Sequence, residues 1–149
     1  IERVGFLHYE ISNFALEGHE CLHNLNYWRG GEYLGLGPAG ASHLEGKRFK
    51  NHSDLEGYLR DPIGLVDEVE RLGPADKAAE EAMLRLRLLH EGLDSDELVR
   101  RYGASSTCDL LCRMDDMVRE GLLTRDGSTY RLARSRVLTS NPIFARILG

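Results

Sequence analysis

The chain has 149 residues, of which 42% are hydrophobic and 29% are charged, and its formal net charge is -5. This composition is typical of a small globular protein and excludes a disordered chain, because enough apolar material is present for a packed core. No apolar run reaches the roughly 18 to 20 residues that a bilayer-spanning helix needs, which excludes membrane insertion. The three cysteines, at positions 21, 108 and 112, lack a disulfide spacing and predict reduced thiols in a cytoplasmic protein.

The first half of the chain is rich in glycine, histidine and aromatic residues. The apolar run at residues 4–11 predicts a buried strand, and the many glycines between residues 17 and 46 exclude a long helix there. Residues 33–37 predict a short strand whose glycines let a second backbone or a ligand come near. We therefore expect residues 21–43 to form loops and a strand that face a ligand, and residues 47–73 to form a connector.

The second half has the pattern of amphipathic helices. Three runs with apolar residues at helical spacing each follow a capping residue, and these caps are Asp76, Asp94 or Ser95, and Ser105 or Ser106. Two short strands then flank Asp126 and Gly127, a pair that favours a hairpin turn. The order of three helices and a hairpin predicts a mainly helical domain of winged-helix type over residues 74–149.

A winged-helix order raises the hypothesis of nucleic-acid binding, which requires a basic face on the third helix to offset phosphate charge. That predicted helix, residues 106–120, contains Arg113 and Arg119. Its acidic residues are more numerous: Asp109, Asp115, Asp116 and Glu120. We therefore expect a packing module and no nucleic-acid partner.

Two motifs contain potential metal ligands. Cys108 and Cys112 are spaced like part of a Cys-x3-Cys-x2-Cys cluster loop, but the third thiol is missing and the segment is helical. We expect both to be small buried side chains. His19, Cys21 and His23 would lie on one side of an extended strand, which is an alternative for zinc without an obvious fourth ligand.

Residues 23–31 combine an imidazole, two amides, two adjacent aromatic rings and a glycine pair. This set suits a flat conjugated ligand, because Tyr27 and Trp28 can stack on it. His23 can reach an iron, and Arg29 can pair with a propionate. Binding through imidazole is expected to weaken in acid, because only the neutral ring binds a metal, and Cys21 is the local rival ligand. The alternative is a tryptophan that anchors a surface loop.

Three segments, residues 9–15, 23–28 and 33–38, together resemble the HemW-like heme chaperones. These belong to the radical S-adenosylmethionine family and are relatives of the oxygen-independent coproporphyrinogen oxidases. The resemblance implies an α+β protein in which residues 1–46 form the end of a radical S-adenosylmethionine α/β barrel-like region. Residues 74–149 would then form the winged-helix-type C-terminal domain, mainly helical, that follows the barrel-like region in this family.

The resemblance also implies which residues bind heme. The family's His-Asn-x-x-Tyr-Trp motif maps without gaps onto His23, Asn24, Tyr27 and Trp28, with His23 as the candidate ligand of the heme iron. The implied partners are heme and recipient hemoproteins, with respiratory enzymes as a candidate class. The motif favours a chaperone over the alternative, an oxygen-independent coproporphyrinogen oxidase that decarboxylates porphyrinogen propionates.

In the family, a glycine-rich stretch lies beside the S-adenosylmethionine pocket, and here it implies Gly37, Ala39 and Ala41. Many members read Gly-Pro-Gly-Ala-His-Ser there, which would put a histidine at Ala41, whereas this chain has His43. The family's cluster loop has no counterpart in this sequence. The [4Fe-4S] cluster and S-adenosylmethionine are therefore expected in a longer parent, of which this chain, starting at Ile1, is a C-terminal fragment without activity of its own.

Overall fold

The computed structural model describes residues 1–62, 64, 66–70 and 72–149. These residues divide into two compact units: the larger unit contains residues 1–30 and 73–149, and the smaller unit contains residues 31–72. Both helices and strands are present, so the predicted mixture of α and β elements is confirmed. Within the described ranges, no helix is both long and apolar enough to cross a membrane.

The larger unit begins with an antiparallel hairpin of β1 (Leu7–Glu10) and β2 (Asn13–Ala15). The strand predicted over residues 4–11 is therefore shorter than expected. The preceding residues Glu2–Val4 form a turn of 3-10 helix, which ends at Gly5 with a φ of 91°. That backbone conformation favours glycine and breaks the extended run before β1.

The next element is a short helix, α1 (Leu22–Trp28), where we expected a loop and strand over residues 21–43. The glycines that exclude a long helix flank this segment and do not interrupt it, and Gly30 follows its end with a φ of 70°. Leu25 is buried on the inner side of α1. It belongs to a small apolar cluster with Tyr9, Ala15 and Leu88.

The smaller unit is an antiparallel sheet with one helix beside it in the described residues. Its elements are β3 (Ala41–Leu44), β4 (Lys47–Asn51), α2 (Leu55–Arg60) and β5 (Val66–Glu70), with β4 in the centre of the sheet. Asp54 caps α2, because its carboxylate accepts the Gly57 N–H at 2.6 Å. The segment predicted as a connector thus contains two strands and a helix of a folded unit.

The rest of the larger unit contains helices and a small sheet. The elements are α3 (Pro74–Arg85), β6 (Leu93–Asp94), α4 (Ser95–Tyr102), α5 (Ala104–Arg119), β7 (Leu123–Asp126), β8 (Thr129–Leu132) and α6 (Asn141–Leu148). A 3-10 turn over Arg134–Thr139 precedes α6. In the described sheet β8 lies between β6 and β7, and both pairings are antiparallel.

The helix caps differ in part from the prediction. Asp94 caps α4 as expected, since its carboxylate accepts the N–H groups of Asp96 and Glu97, at 2.8 and 3.1 Å. Asp76 is the third residue of α3 and accepts the N–H of Gly73, so α3 starts earlier than predicted. Helix α3 also ends at Arg85, ahead of the predicted stop at Gly92, because residues 87–89 pair with the backbone of residues 9–11.

The hairpin is confirmed with a shifted turn. β7 extends to Asp126, which pairs with Thr129 of β8, so the two-residue turn is Gly127 and Ser128. Helix α5 likewise starts at Ala104, ahead of both predicted caps. Strand pairing and helix packing both extend these elements beyond the bounds that local signals indicate.

The main core lies between α3, α4, α5, α6 and the small sheet. It includes the side chains that the helical spacing predicts to be buried: Leu86, Leu98, Leu110, Met114 and Met117. The prediction that Cys108 and Cys112 are buried is wrong, because both are exposed. The face of α5 that packs on the core passes through Leu110 and Met114, which places the two cysteines on the solvent side.

Candidate functional site

The residues predicted to bind heme all lie on α1. His23 and Tyr27 are one helical turn apart, and their rings meet edge to face with centroids 4.6 Å apart and planes at 85°. The His23 ring is exposed, whereas Asn24, Tyr27 and Trp28 are partly buried. The helix therefore presents an imidazole to solvent and supports it with an aromatic ring.

Trp28 packs at the end of α1 against the small apolar cluster that includes Leu25 and Leu88. The Arg87 guanidinium carbon lies 4.8 Å from the centroid of the indole. The indole Nε1 is buried and has no hydrogen-bond partner among the described residues. Trp28 thus anchors a helix, where the alternative interpretation of the sequence predicted an anchored surface loop, and its indole N–H remains without an acceptor among the described residues.

Arg29 makes a two-point ion pair with Glu91, with Nη2 to Oε1 at 2.6 Å and Nε to Oε2 at 3.1 Å. The hydrogen bond from Arg29 lowers the pKa of Glu91, and the same bond raises the pKa of Arg29. Arg85 adds a weaker contact, with Nη1 3.7 Å from Glu91 Oε2. In this structure Glu91 therefore already occupies the Arg29 guanidinium that the sequence suggested for a propionate.

The zinc alternative required His19, Cys21 and His23 to share one extended strand. That strand is not formed, because α1 begins at Leu22 and turns the His23 side chain away from the extended pattern. Across the described parts of the chain, no group of three or more His, Cys, Asp or Glu side chains is arranged to hold a metal ion. The zinc hypothesis is therefore wrong in its geometry.

Gly37, Ala39 and Ala41 lie together in the smaller unit, in the loop before β3 and at its start. The Gly37 N–H donates to the Tyr58 hydroxyl at 3.0 Å, and the Ala39 N–H donates to the His52 carbonyl at 3.1 Å. Gly37 and Ala39 have φ values of 92° and 56°. Both backbone donors are therefore used inside the unit, and the loop has positive φ at these two residues.

Gly35 makes the close approach that the sequence predicted, but in a loop and not in a strand. A Cβ at Gly35 would lie 2.2 Å from the Ala41 carbonyl oxygen, so only glycine fits there. In place of the strand predicted over residues 33–37, the structure has an isolated antiparallel bridge between Tyr33 and His43. The approaching group is thus a second backbone.

Asn51 is a site residue that sequence reasoning missed. Its buried side-chain amide donates to the carbonyls of Gly35 and Gly37, at 3.1 and 3.0 Å. Its backbone N–H donates to the Gly40 carbonyl at 2.9 Å. The end of β4 therefore holds the glycine-rich loop, and an asparagine close to the end of a polar strand carried no signal for this role.

Arg87 is a second residue that the sequence did not single out. Its guanidinium carbon lies over the rings of both Trp28 and Phe144, at 4.8 and 4.9 Å from their centroids. These three residues are far apart along the chain, so no motif or periodicity joins them. The stack appears only in the tertiary structure.

The cysteines do not fit an iron-sulfur cluster. Cys21 precedes α1, and Cys108 and Cys112 lie one turn apart on α5, so the Cys-x3-Cys-x2-Cys loop is not present in this sequence. The donor set therefore assigns no [4Fe-4S] site to these residues.

The chain is similar to proteins named heme chaperone HemW from several bacteria, although no family model matches it. It is 39% identical to the Synechocystis protein over 93 residues, which cover 59% of this chain and 23% of that one. It is 30% identical to the Mycobacterium tuberculosis protein over 152 residues, covering 100% of this chain and 37% of that one. The chain spans between 23% and 40% of the length of such relatives.

The fold is similar to a solved structure described as coproporphyrinogen III oxidase (HemN) from Escherichia coli, a radical SAM enzyme. The TM-score is 0.65 at 16% sequence identity, and the match covers 99% of this chain and 37% of that one. At this identity the likeness concerns the fold. The sequence similarity extends over essentially the whole chain in relatives that share one name, and the chain is therefore a homologue of the HemW heme chaperones.

Proposed function

We propose that the chain forms part of a HemW-like chaperone that binds heme through α1 and passes it to recipient hemoproteins. The observation that carries this proposal is the pairing on α1 of an exposed His23 imidazole with the Tyr27 ring, next to Trp28. An exposed imidazole can ligate iron, and the aromatic rings provide apolar surface for a flat macrocycle. Respiratory enzymes are a candidate class of recipient, and the cytoplasm is the proposed location.

The proposal extends to the architecture. Residues 74–149 have the order helix, strand, helix, helix and hairpin, which supports a winged-helix-type domain. Residues 1–46 would be the end of a radical S-adenosylmethionine barrel-like region, and residues 47–73, which contain β4, α2 and β5, would connect it to that domain. Gly37, Ala39 and Ala41 would lie on its S-adenosylmethionine side, and the likeness to the HemN fold supports this assignment.

The alternative function is oxygen-independent coproporphyrinogen oxidation, in which the longer parent decarboxylates porphyrinogen propionates. The likeness to the HemN structure favours this class, whereas the names of the sequence relatives favour the chaperone. An assay of the complete protein for protoporphyrinogen formation separates the two. Formation of that product would support the oxidase and contradict the chaperone.

The direct test is a heme titration of the purified protein followed by the Soret band. We expect saturable binding that weakens in His23→Ala and is unchanged in Cys21→Ala, which replaces the neighbouring thiol. Equal affinity of wild type and His23→Ala would contradict the assignment of the iron ligand. Loss of the Soret shift only in Cys21→Ala would assign the ligand to the thiolate.

A further inference from the structure

Arg87 is held in an unusual environment on the inner side of α1. Its guanidinium carbon lies over the ring of Trp28 and over the ring of Phe144, at 4.8 and 4.9 Å from the two ring centroids. Cation-π contacts of this kind attract the cation to the faces of the aromatic rings. The hydrogen-bonding edge of a guanidinium lies in its own plane, so the stack fixes the group without using its N–H donors.

Those donors have no acceptor within the described parts of the chain. The Nε of Arg87 is buried and unpartnered, and no described carboxylate forms an ion pair with this side chain. The charge that acts on it most is that of Glu10, whose carboxylate instead accepts the Ser12 N–H at 3.2 Å and the Asn13 amide. Glu10 is therefore engaged with its own turn.

This environment is costly for a cation. Burial lowers the pKa of Arg87, which means that desolvation outweighs the charge of Glu10. The contrast with Arg29 is informative, because Arg29 has two hydrogen bonds to Glu91. Arg87 is a partly buried cation that contacts two rings and has an unpaired N–H. An anion in the plane of its guanidinium would accept these hydrogen bonds and offset the cost of burial.

Trp28 supplies a second unpaired donor beside this cation. Its indole Nε1 is buried without a partner, and its ring is one of the two faces of the stack. A carboxylate has two oxygens that can accept several N–H donors at once. Arg87 Nε and Trp28 Nε1 are themselves buried, whereas Arg87 as a residue is only partly buried, so a group from solvent would reach its guanidinium at the terminal Nη groups.

We infer that Arg87, stacked on Trp28, binds a carboxylate of the ligand, namely a propionate of the porphyrin. This inference rests on the proposed heme binding by α1 and adds to it the residue that recognises the propionate. It replaces Arg29 in that role. Phe144 of α6 acts through Arg87 as a positioning residue, because its ring lies 4.9 Å from the guanidinium carbon.

The test compares hemin with hemin dimethyl ester, whose propionates are esterified and carry no charge. Both are titrated in one detergent-containing buffer into wild type, Arg87→Met, Arg87→Lys and Arg29→Met. We expect wild type to prefer hemin, and Arg87→Met to bind hemin about tenfold more weakly while its affinity for the ester stays the same. Arg29→Met is the matched control and keeps the preference of the wild type.

The outcomes separate the two levels of the proposal. If wild type binds neither compound, the proposed heme site fails and this inference with it. If hemin and its ester lose affinity equally in Arg87→Met, heme binding stands and the propionate assignment is overturned. Should Arg87→Met fail to fold by circular dichroism, Arg87→Lys decides, because it retains the cation and is expected to retain part of the preference for hemin over the ester. If wild type and Arg87→Lys both bind hemin and its dimethyl ester with equal affinity, the inference is overturned.

Discussion

The rings of His23 and Tyr27 meet edge to face, with their centroids 4.6 Å apart and their planes at 85°. The two residues are four positions apart on α1, which is the spacing that places side chains one above the other on a helix. Tyr27 is partly buried and His23 is exposed. The less mobile ring therefore limits the orientations of the imidazole that we propose as the iron ligand.

Replacing Tyr27 should weaken heme binding without replacing the ligand. In Tyr27→Leu the aromatic contact is lost, and such contacts contribute about 0.5 to 1.5 kcal/mol, or roughly a twofold to tenfold change in affinity. The measurement is a heme titration followed by the Soret band. Leu22→Ala is the control, because Leu22 lies on the same helix and is 78% exposed. An unchanged affinity in Tyr27→Leu would mean that the ring does not orient His23.

Trp28 should contribute to folding as well as to the proposed site. Because it packs on the small apolar cluster and on Arg87, we expect Trp28→Ala to lower the free energy of unfolding. The loss should be below the ~3 to 5 kcal/mol of a fully buried aromatic side chain, since Trp28 is only partly buried. Urea denaturation followed by circular dichroism measures it. Trp28→Phe should retain most of the stability, and a Trp28→Ala protein as stable as wild type would contradict the anchoring role.

Two partly buried tyrosine hydrogen bonds predict a loss of stability in alkali. The Tyr130 hydroxyl donates to Asp115 at 2.6 Å, and the Tyr102 hydroxyl donates to Glu81 at 2.8 Å. Burial, followed by these hydrogen bonds, raises the pKa of each tyrosine to about 12. A pKa raised in the folded state means that the stabilisation is complete below the ordinary tyrosine pKa near 10. It is lost as the pH rises from about 10 through 12.

The measurement is the free energy of unfolding of wild type, Tyr102→Phe and Tyr130→Phe between pH 8 and pH 12, a range that brackets both values of about 10 and 12. Each phenylalanine variant should be less stable than wild type at the lower end, and the difference should shrink toward the upper end. A difference that stays constant across this range would show that the hydroxyl does not titrate with folding.

Asn51 should be required for the loop that contains Gly37. Asn51→Ala removes the amide that donates to two carbonyls and leaves these acceptors without their partner, at a cost of about 1 to 3 kcal/mol for each buried group that stays unsatisfied. We expect faster hydrogen exchange of the Gly37 and Ala39 amides than in wild type. Lys50→Ala is the matched control, because Lys50 is its exposed neighbour on β4. Unchanged exchange in Asn51→Ala would assign the loop's order to other contacts.

Local signals in the amino-acid sequence were sufficient to predict several elements of the fold. Asp94 caps α4, Leu110 and Met114 face the core from α5, and the hairpin follows α5, as their spacing predicted. The motif of residues 23–28 could also be identified from the sequence, because it consists of a short contiguous run of residue types. Hydrophobic periodicity and helix capping depend on residues only a few positions apart, so both can be recognised without the tertiary structure.

The choice of arginine for the proposed ligand, and the exposure of individual side chains, depend on tertiary packing. Arg29 is adjacent to Trp28 in sequence but is occupied by Glu91, whereas Arg87 is distant in sequence and stacks on the indole. Cys108 is exposed because the core contacts the neighbouring face of α5. Ion pairs and stacked rings join residues that are remote in the chain, and their geometry depends on how the elements pack, which no local pattern specifies.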